Sequence, residues 1–409
     1  MDKNIIVAGM DIGNGYVKGV TFCQDKAMPI DIPSGVAYVT KPNEIKTRAE
    51  EAGAVISDIC NQMDASFDSV LVKDNNRRLF GLRGIMSGMA LEEFDVYSHL
   101  SKAKQDLSGI LILGCIAGRA LQDYYDANHM LPVDLVQVHT RVSLALPIRE
   151  YKKYRKEYAD RLKSASHLVM IHNFEQPVRI SITFDDVQVL AEGAAAQYAI
   201  NAEGEPLMNA MLNDLKRMDS ADASVLADIT AADILAAENT VGIDIGEGTV
   251  NFPVFQNGKF DTDVSDTYDQ GYGSVMNRVL DRLQDMGCPF NTRKQLVEYL
   301  QKEPSPLKRN AYNKIKNIVD EETTAFVNEI NMRFVKVMSR VGAFTEVVYV
   351  YGGGATPVRD FLYPVLLETS KSFGDGEMTY PILYLDSRYS RYLNREGLFF
   401  VAKKVAGLV

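Results

Sequence analysis

Three glycine-rich turns in the sequence each follow an apolar run and could bind phosphate. They are Gly13-Asn14-Gly15, Gly246-Glu247-Gly248 and Gly352-Gly353-Gly354. Because glycine has no Cβ, the backbone of such a turn can approach a ligand closely and point N–H groups at phosphate oxygens. One such turn alone is most simply a tight turn. Three of them, two sharing the string D-I-G-x-G, favour phosphate binding.

An aspartate precedes each of the first two turns, Asp11 in one and Asp244 in the other. A carboxylate in this place can hold Mg²⁺ through water, since Mg²⁺ keeps most of its hydration shell and prefers one or two carboxylates. The alternative is that each aspartate only caps its turn. Lys18, on the run that follows the first turn, either places a positive charge beside the β- and γ-phosphates or is a solvated strand residue.

Two common nucleotide-binding motifs are excluded by spacing. The sequence contains no G-x-x-x-x-G-K-[ST] string, and GNGYVKG from Gly13 has the wrong spacing for G-x-G-x-x-G and opens a strand. The four cysteines lie far apart without a C-x-x-C pair, so neither a zinc knuckle nor a disulfide framework is predicted.

The elements that position the two aspartates are repeated in the chain. The strings VAGMDIGNGYVKGV from Val7 and TVGIDIGEGTVNFPVF from Thr240 both consist of an apolar run, a glycine turn and a second run. This pattern predicts a strand, a turn and a returning strand. Since the copies are too far apart for a solenoid repeat, we predict two similar α/β domains in tandem. The first covers residues 1–200 plus a C-terminal helix at 388–409, and the second covers residues 201–387.

Hydrophobic periodicity predicts a helix from Leu107 to Tyr125, and a further helix is expected to begin near Gly193. Between them, short strands are predicted at Val178–Phe184 and at Val187–Leu190. The segment from Asn201 to Asn239 is predicted to form one or two amphipathic helices.

A helix is also predicted after the third glycine turn. Thr356 is expected as its N-cap and Pro357 as its first residue.

Composition limits the partners of the protein. The 409 residues include 44 Lys and Arg against 54 Asp and Glu, a net charge of −10. This is the wrong sign for a chain that binds nucleic acid by itself, so contact with DNA is expected to require a basic partner. The N-terminal sequence lacks the features of a signal peptide, and the longest apolar run is shorter than the roughly 20 residues that span a bilayer. We therefore expect a cytoplasmic protein without membrane contact.

Three strings carry a resemblance to a known superfamily. D-I-G-N-G-x-x-K at Asp11, D-I-G-E-G-T at Asp244 and VVYVYGGGA at Val347 resemble the phosphate 1, phosphate 2 and adenosine motifs of the actin, sugar kinase and heat-shock chaperone ATPases. The first string, with LALPIREYKKY at Leu144, is most similar to bacterial actin-like plasmid-segregation ATPases of the ParM type. The resemblance implies a ribonuclease H-like, duplicated α/β fold that holds a nucleotide, ATP or alternatively GTP, and Mg²⁺ in a cleft between its two domains.

The same resemblance implies a catalytic group at the start of the helix that connects the domains, where it orients the attacking water. VQVLAEGAAAQYAI matches this segment and places Glu192 there, although a Glu at a helix N-terminus also complements the helix dipole. DQGYGSVMNRVL is similar to the second connecting segment and adds Gly271. The chain departs from the pattern at Asn251, where an acid is common.

The resemblance thus implies Glu192, Asp11 and Asp244 as catalytic residues, with the two aspartates holding the metal through water. The nucleotide-binding residues that it implies are Gly13, Asn14, Gly15, Lys18, Gly246, Glu247, Gly248, Thr249, Gly271, Gly352, Gly353 and Gly354.

The implied function is a filament-forming ATPase that assembles with itself and segregates plasmid DNA through a DNA-bound adaptor of the ParR type. Two alternatives stay open. A small-molecule, sugar-type kinase of the same superfamily would need a catalytic base, for which Asp185 and Asp186 are candidates. A static cytoskeletal protein would normally carry a membrane-binding amphipathic end, and the C-terminal VAKKVAGLV is only weakly amphipathic.

Overall fold

The computed structural model describes residues 5–40, 46–95, 100–218, 228–288, 290, 292–373, 380–385 and 387–409. The chain divides into two compact units, one formed by residues 1–202 with 392–409 and the other by residues 203–391. These are called unit 1 and unit 2 below.

Each unit is built on one β-sheet. The strands are β1 (Ile5–Ile12), β2 (Tyr16–Cys23), β3 (Lys26–Pro33), β4 (Val36–Tyr38), β5 (Asp64–Asp68), β6 (Arg78–Leu79), β7 (Leu91–Glu92), β8 (Val136–Leu146), β9 (His167–Ile171), β10 (Val178–Ala191), β11 (Thr240–Ile245), β12 (Val250–Gln256), β13 (Lys259–Tyr268), β14 (Val347–Tyr351) and β15 (Ile382–Tyr384).

The helices cover the sheets and join their strands. They are α1 (Ala52–Ile56), α2 (Ile59–Gln62), α3 (Gly81–Met86), α4 (Asp106–Asn128), α5 (Ile148–Lys163), α6 (Ala194–Glu203), α7 (Glu205–Met218), α8 (Ala231–Ala236), α9 (Tyr272–Asp285), α10 (Arg293–Leu300), α11 (Arg309–Val341), α12 (Ala355–Phe373), α13 (Ser387–Ser390) and α14 (Leu393–Val405).

The sheet of unit 1 has the strand order β3-β2-β1-β8-β10-β9-β5-β6-β4-β7. Strand β8 is parallel to both β1 and β10, whereas the β1–β2 and β2–β3 pairs are antiparallel hairpins. The residues of α4 from Leu107 to Leu121 are all buried, as expected for a helix that is apolar on every side. This helix forms the core of the unit together with the sheet.

One charge in that core is fully compensated. Arg119 of α4 is 2% exposed, and its guanidinium donates to Asp123 and to the carbonyl groups of Thr21, Cys23 and Lys26. A buried charge is tolerated only with such partners. Arg119 therefore ties the β2–β3 hairpin to the core helix.

The C-terminal helix α14 packs on the central strand β1 of unit 1. A Cβ added to Gly9 would lie only 2.4 Å from the Cα of Phe399, so the helix and strand backbones are in direct contact. Asn394 accepts a hydrogen bond from the Gly193 N–H at 3.1 Å. The last helix of the chain thus supports the end of strand β10.

The sheet of unit 2 has the order β13-β12-β11-β14-β15. Strands β11, β12 and β13 form an antiparallel meander, while β14 is parallel to β11 and β15. The long helix α11 packs against α9 and α12 and buries Phe326 and Phe334 completely or almost so. The predicted α/β class is confirmed in both units.

Several element boundaries differ from the predictions. Helix α12 begins at Ala355, so the prediction of Thr356 as N-cap is wrong. The Ala355 N–H donates to the Gly352 carbonyl, and this bond starts the helix directly from the glycine turn.

The two predicted strands near residue 180 are one strand, β10, whose register shifts between Phe184 and Asp186. Of the predicted amphipathic segment, residues 205–218 and 231–236 are helical, and residues 219–227 lie outside the described residues. Within the described part of the chain, no helix is long and apolar enough to cross a membrane.

Candidate functional site

The first aspartate lies on a hairpin whose register places a lysine opposite to it. Strands β1 and β2 pair Asp11 directly with Lys18. The turn closes because the Gly13 N–H donates to the Tyr16 carbonyl at 3.0 Å. Ser34 braces the turn, since its Oγ donates to the Gly13 carbonyl at 2.6 Å. The two-residue turn thus fixes the positions of carboxylate and ammonium relative to each other.

The second hairpin repeats this geometry with one chemical change. The Gly246 N–H donates to the Thr249 carbonyl at 2.9 Å, and strands β11 and β12 pair Asp244 with Asn251. Asn251 therefore occupies the position that Lys18 has in the first hairpin. Asn251, which departs from the superfamily pattern, thus places a neutral amide where the first hairpin has the cation Lys18.

The amide of Asn251 is itself held in place. Thr267 donates its hydroxyl hydrogen to Asn251 Oδ1 at 2.9 Å, and Asn251 Nδ2 donates to Thr249 Oγ1 at 3.4 Å. Asn251 is 2% exposed. Its role in this geometry is to orient Thr249, one of the nucleotide-binding residues that the resemblance implies.

Both turns keep backbone N–H groups available for a ligand. Within the described residues, no protein acceptor is found for the amides of Asn14 and Gly15 in the first turn or of Glu247 and Gly248 in the second. Unpaired backbone N–H groups in a tight turn form a concave anion-binding site. The two predicted phosphate turns therefore fit a phosphate group chemically.

In unit 2, the third glycine turn lies beside Asp244. Strands β11 and β14 are parallel and pair Asp244 with Tyr351, the residue just before the turn. The Gly354 N–H donates to the Ile245 carbonyl at 2.8 Å. Asp244 is 5% exposed, and burial raises the pKa of the neighbouring Tyr351 hydroxyl far above its usual value, an effect that the nearby Asp244 carboxylate reinforces. Tyr351 is thus a neutral hydroxyl at neutral pH.

The start of helix α9 contacts the second glycine turn, at Gly246 and Glu247. Its first N–H groups, of Tyr272 and Gly273, donate to the carbonyls of Gly246 and Glu247 at 3.0 and 2.9 Å. Gly271 precedes the helix as its N-cap, and a Cβ there would lie 2.4 Å from the Glu247 carbonyl. Unit 2 thus brings together Asp244, the second turn, Gly271 and the Gly352–Gly354 turn.

The third turn offers a test of this arrangement. Gly352 has φ of +96°, and an added Cβ would lie 2.4 Å from the Ile245 carbonyl oxygen and 2.6 Å from Asp244 Oδ1. We expect Gly352→Ala to lower the free energy of unfolding of unit 2 by about 1–3 kcal/mol or more, because alanine disfavours this backbone conformation and has no space. Chemical denaturation measures the change. Gly353→Ala is the matched control, since nothing lies within 4 Å of its Cβ. Equal destabilisation by both variants contradicts the described turn.

Glu192 directly follows strand β10 and lies in the turn that leads into helix α6, which begins at Ala194. Its N–H donates to the Leu146 carbonyl at 2.7 Å, which fixes it beside the end of β8. The residue is 7% exposed, and its Oε1 accepts a hydrogen bond from Lys102 Nζ at 3.0 Å. Glu192 is therefore a buried, ion-paired carboxylate rather than an exposed residue at the helix end.

Asp11 and Glu192 belong to the same electrostatic cluster in unit 1. The pKa of Asp11 is raised, because burial and the neighbouring Glu192 carboxylate outweigh the attraction of Lys18 and Lys102. Two carboxylates and two ammonium groups thus influence one another directly. Of the residues predicted for unit 1, Asp11, Lys18 and Glu192 are brought together here.

Two charged residues in these sites were not predicted. Lys102 lies 90 positions before its partner Glu192 and belongs to no motif. Arg293, at the start of α10, forms an ion pair with Glu247 of the second turn, with both side chains about two-fifths exposed. An exposed pair of this kind contributes little to stability, so its position beside the turn matters more than its energy.

The kinase candidates lie elsewhere on β10. Asp185 is at the register shift of the strand. Its Oδ1 lies 2.8 Å from His139 Nδ1. Asp186 accepts a hydrogen bond from Gln188. About 20 Å of extended strand separates them from Glu192. Neither aspartate belongs to the Asp11–Glu192 cluster.

No described group of three or more His, Cys, Asp or Glu residues could hold a metal ion by itself. The single carboxylates Asp11 and Asp244 fit a cation that keeps most of its water, as Mg²⁺ does. Such a cation would also need ligands from the substrate phosphates.

Two family models match this sequence. The model "Actin like proteins N terminal domain" matches residues 9–194, and "Archaeal actin homologue MreB-like, C-terminal" matches residues 242–363. The first match includes Asp11, Lys18 and Glu192, and the second includes Asp244 and the third glycine turn. No curated protein matches the sequence significantly.

Solved structures match the whole chain at low identity. Bacillus thuringiensis ParM with ATP has 14% identity and a TM-score of 0.60, with all of both chains covered. The same protein with AMPPNP has 16% identity and a TM-score of 0.59, with coverage of 99% of this chain and 100% of that one. The archaeal actin homologue Ta0583 has 11% identity and a TM-score of 0.58, with coverage of 98% and 99%. At these identities the comparisons establish the fold.

Proposed function

We propose that this chain, whose fold is actin-like and whose two halves match models of actin-like proteins, is a filament-forming ATPase. Its nucleotide is ATP, with GTP as a further possibility to be tested, and its metal is Mg²⁺. In the cell it would assemble with itself in the cytoplasm and segregate plasmid DNA through a DNA-bound adaptor of the ParR type. Residues 1–200 with 388–409 would act as domain I and residues 201–387 as domain II.

The repeated hairpin is the observation that carries this proposal. Each unit presents a carboxylate, Asp11 or Asp244, next to a turn with free backbone N–H groups. Carboxylate-bound metal and backbone N–H donors are the two features that a nucleoside triphosphate requires. The matched ParM structures hold ATP and AMPPNP, which supports the same class of ligand here.

Different residues of this chain would bind the phosphates, neutralise charge and orient the attacking water. The turns at Gly13 and Gly246 would bind the phosphates, and Lys18 would neutralise their developing charge. Mg²⁺, when bound, supplies positive charge to the β- and γ-phosphate oxygens. Glu192 would accept a hydrogen bond from the attacking water and orient it. Phosphoryl transfer depends mainly on such positioning and charge stabilisation.

Self-assembly and the adaptor are proposed from the ParM resemblance and from charge. Among the matched structures is a non-polymerisable quadruple mutant of pCBH ParM, with 14% identity and a TM-score of 0.57 over 98% of this chain and 100% of that one. The net charge of −10 disfavours direct DNA binding and suits a basic adaptor that itself contacts DNA.

A sedimentation and light-scattering assay tests this function. At micromolar concentration, purified protein should scatter light and pellet after Mg-ATP is added, and the signal should decay as ATP is consumed. With AMPPNP the signal should persist, because hydrolysis no longer weakens the subunit contacts. Parallel samples with GTP and without nucleotide define the nucleotide preference. A protein that stays monomeric in all samples but turns over ATP faster with a sugar panel would instead be a kinase.

A further inference from the structure

The pair formed by Lys102 and Glu192 is enclosed in unit 1. Lys102 Nζ lies 3.0 Å from Glu192 Oε1, and the two side chains are only 8% and 10% exposed. The Phe94 ring lies 5.6 Å from the ammonium and covers it on one side. A lysine is rarely buried to this degree unless a partner compensates its charge.

The backbone that carries Lys102 is anchored separately. Lys102 begins a short 3₁₀ helix, Lys102–Lys104, preceded by Ser101. Glu150, in the first turn of α5, accepts hydrogen bonds from Ser101 Oγ at 2.5 Å and from the Lys102 N–H at 2.9 Å. Its carboxylate therefore fixes the point from which the lysine side chain extends. The ammonium position is set by α5 and the 3₁₀ helix as well as by Glu192.

The balance of charge keeps the ammonium protonated. Burial alone lowers the pKa of Lys102, but Glu192, Asp11 and Glu150 together outweigh burial and raise it above the usual lysine value. The cluster thus consists of Asp11 on β1, Lys18 on β2, Glu192 at the end of β10, Lys102, and Glu150 on α5. Within this cluster, Lys102 contacts Glu192 directly, with Nζ 3.0 Å from Oε1.

We propose that Lys102 is a positioning residue for hydrolysis, which holds the Glu192 carboxylate in one orientation beside Asp11. This inference rests on the proposed function, because it assigns Lys102 a role only through Glu192. Partners that orient metal-ligating side chains change affinity or activity by roughly 10- to 100-fold when they are removed, and we expect an effect at the lower end for Lys102. The alternative is that the Lys102–Glu192 pair is a structural latch, which joins the 3₁₀ helix to the end of β10 and has no role in hydrolysis.

Kinetics separate the two roles. Lys102→Met keeps the length of the side chain and removes its charge, and we expect kcat for ATP to fall roughly 10-fold with nucleotide Kd unchanged. Lys102→Arg should recover part of the rate, since arginine restores a donor to Glu192. In a Glu192→Gln background, Lys102→Met should produce no further loss, because residues that act as a unit are not additive. The matched control is Lys104→Met, because the Lys104 side chain is over one-third exposed and pairs with exposed Glu157.

Thermal unfolding without nucleotide provides an independent measurement of the pair. Lys102→Met should lower Tm on the order of 10 °C, since it removes the ammonium that lies 3.0 Å from the buried Glu192 carboxylate, and adding Glu192→Gln should recover much of the loss. If the Tm changes of the two single variants add up in the double variant, the two side chains do not interact, and the proposed pair is overturned. If the Tm changes of Lys102→Met and Glu192→Gln are coupled but their losses of kcat are additive, the pair has only a structural role. This outcome overturns the positioning role.

The proposed function can fail separately from this inference. If wild type and Lys104→Met hydrolyse ATP and Lys102→Met does so at the same rate, the positioning role is wrong and the ATPase stands. If wild type hydrolyses no nucleotide, the proposed function is overturned and the role of Lys102 in it falls too. The unfolding cycle then still reports whether the buried pair exists.

Discussion

Replacement of Glu192 by alanine should lower the rate of ATP hydrolysis by about 10²- to 10⁴-fold while leaving nucleotide affinity unchanged. The reason is the separation of two tasks in unit 1. The carboxylate of Glu192 lies at the end of β10 and would orient water, whereas the N–H groups of the Gly13 turn would bind phosphate. Single-turnover hydrolysis and fluorescent-nucleotide binding measure the two quantities separately. Because the ATP state would hold the subunits together, filaments of this variant should outlast those of wild type.

Two further variants test whether the loss of hydrolysis is specific to the Glu192 carboxylate. Glu192→Gln keeps the size of the side chain and should show the same loss of rate without leaving a hole beside Lys102. Glu203→Ala removes an exposed carboxylate at the other end of α6 and should behave as wild type. Normal hydrolysis by Glu192→Ala reduces Glu192 to a helix-end residue. Loss of nucleotide binding shows that the match to the connecting segment is misplaced.

The two hairpins were predictable from local sequence for a physical reason. A D-I-G-x-G turn has few closed conformations, and once the turn is closed the antiparallel register follows. Asp11 must then pair with Lys18, and Asp244 with Asn251. The actin-like fold was implied by the resemblance of the three glycine motifs to those of a known superfamily, and both family models and solved structures confirm it.

What escaped prediction depends on contacts between distant segments. Lys102 stands in a polar run that resembles an ordinary surface loop, and only the packing of its 3₁₀ helix against α5 directs it to Glu192. Arg293 similarly reaches Glu247 from a separate helix. The spacing of residues along the sequence does not predict such pairs, because tertiary structure determines which residues come into contact.

Two local errors have local causes. The extra residue Asp185 interrupts the β10 register without ending the strand, so one strand resembled two in the sequence. The start of α12 was misplaced because the Gly352 carbonyl, rather than the Thr356 side chain, satisfies the first helical N–H. Proline within the first turn is compatible with both starting points.

Asp11→Ala should lower Mg²⁺-dependent ATP hydrolysis by about 10²- to 10³-fold, equivalent to the several kcal/mol that a metal ion supplies to charge stabilisation. Asp11 is the carboxylate of unit 1 that lies directly opposite Lys18, next to the turn with free N–H groups. Removing it takes away a site for the hydrated metal and also removes one of the carboxylates that balance Lys18 and Lys102. A titration of the hydrolysis rate with Mg²⁺ should show a higher requirement for the metal as well as a lower maximum.

Asp244→Ala provides the comparison in unit 2. Its hairpin pairs Asp244 with the neutral Asn251, at the position where the first hairpin has Lys18. A loss of rate in this variant would support a role for the Asp244 carboxylate, and we expect a larger loss in Asp11→Ala, because Asp11 also interacts with Lys18 and Lys102. Asp126→Ala is the control, because the Asp126 side chain is exposed and pairs with exposed Lys26. Wild-type turnover and metal dependence in both aspartate variants would reduce Asp11 and Asp244 to turn-capping residues, and the metal would then have to be held by the nucleotide phosphates and other groups.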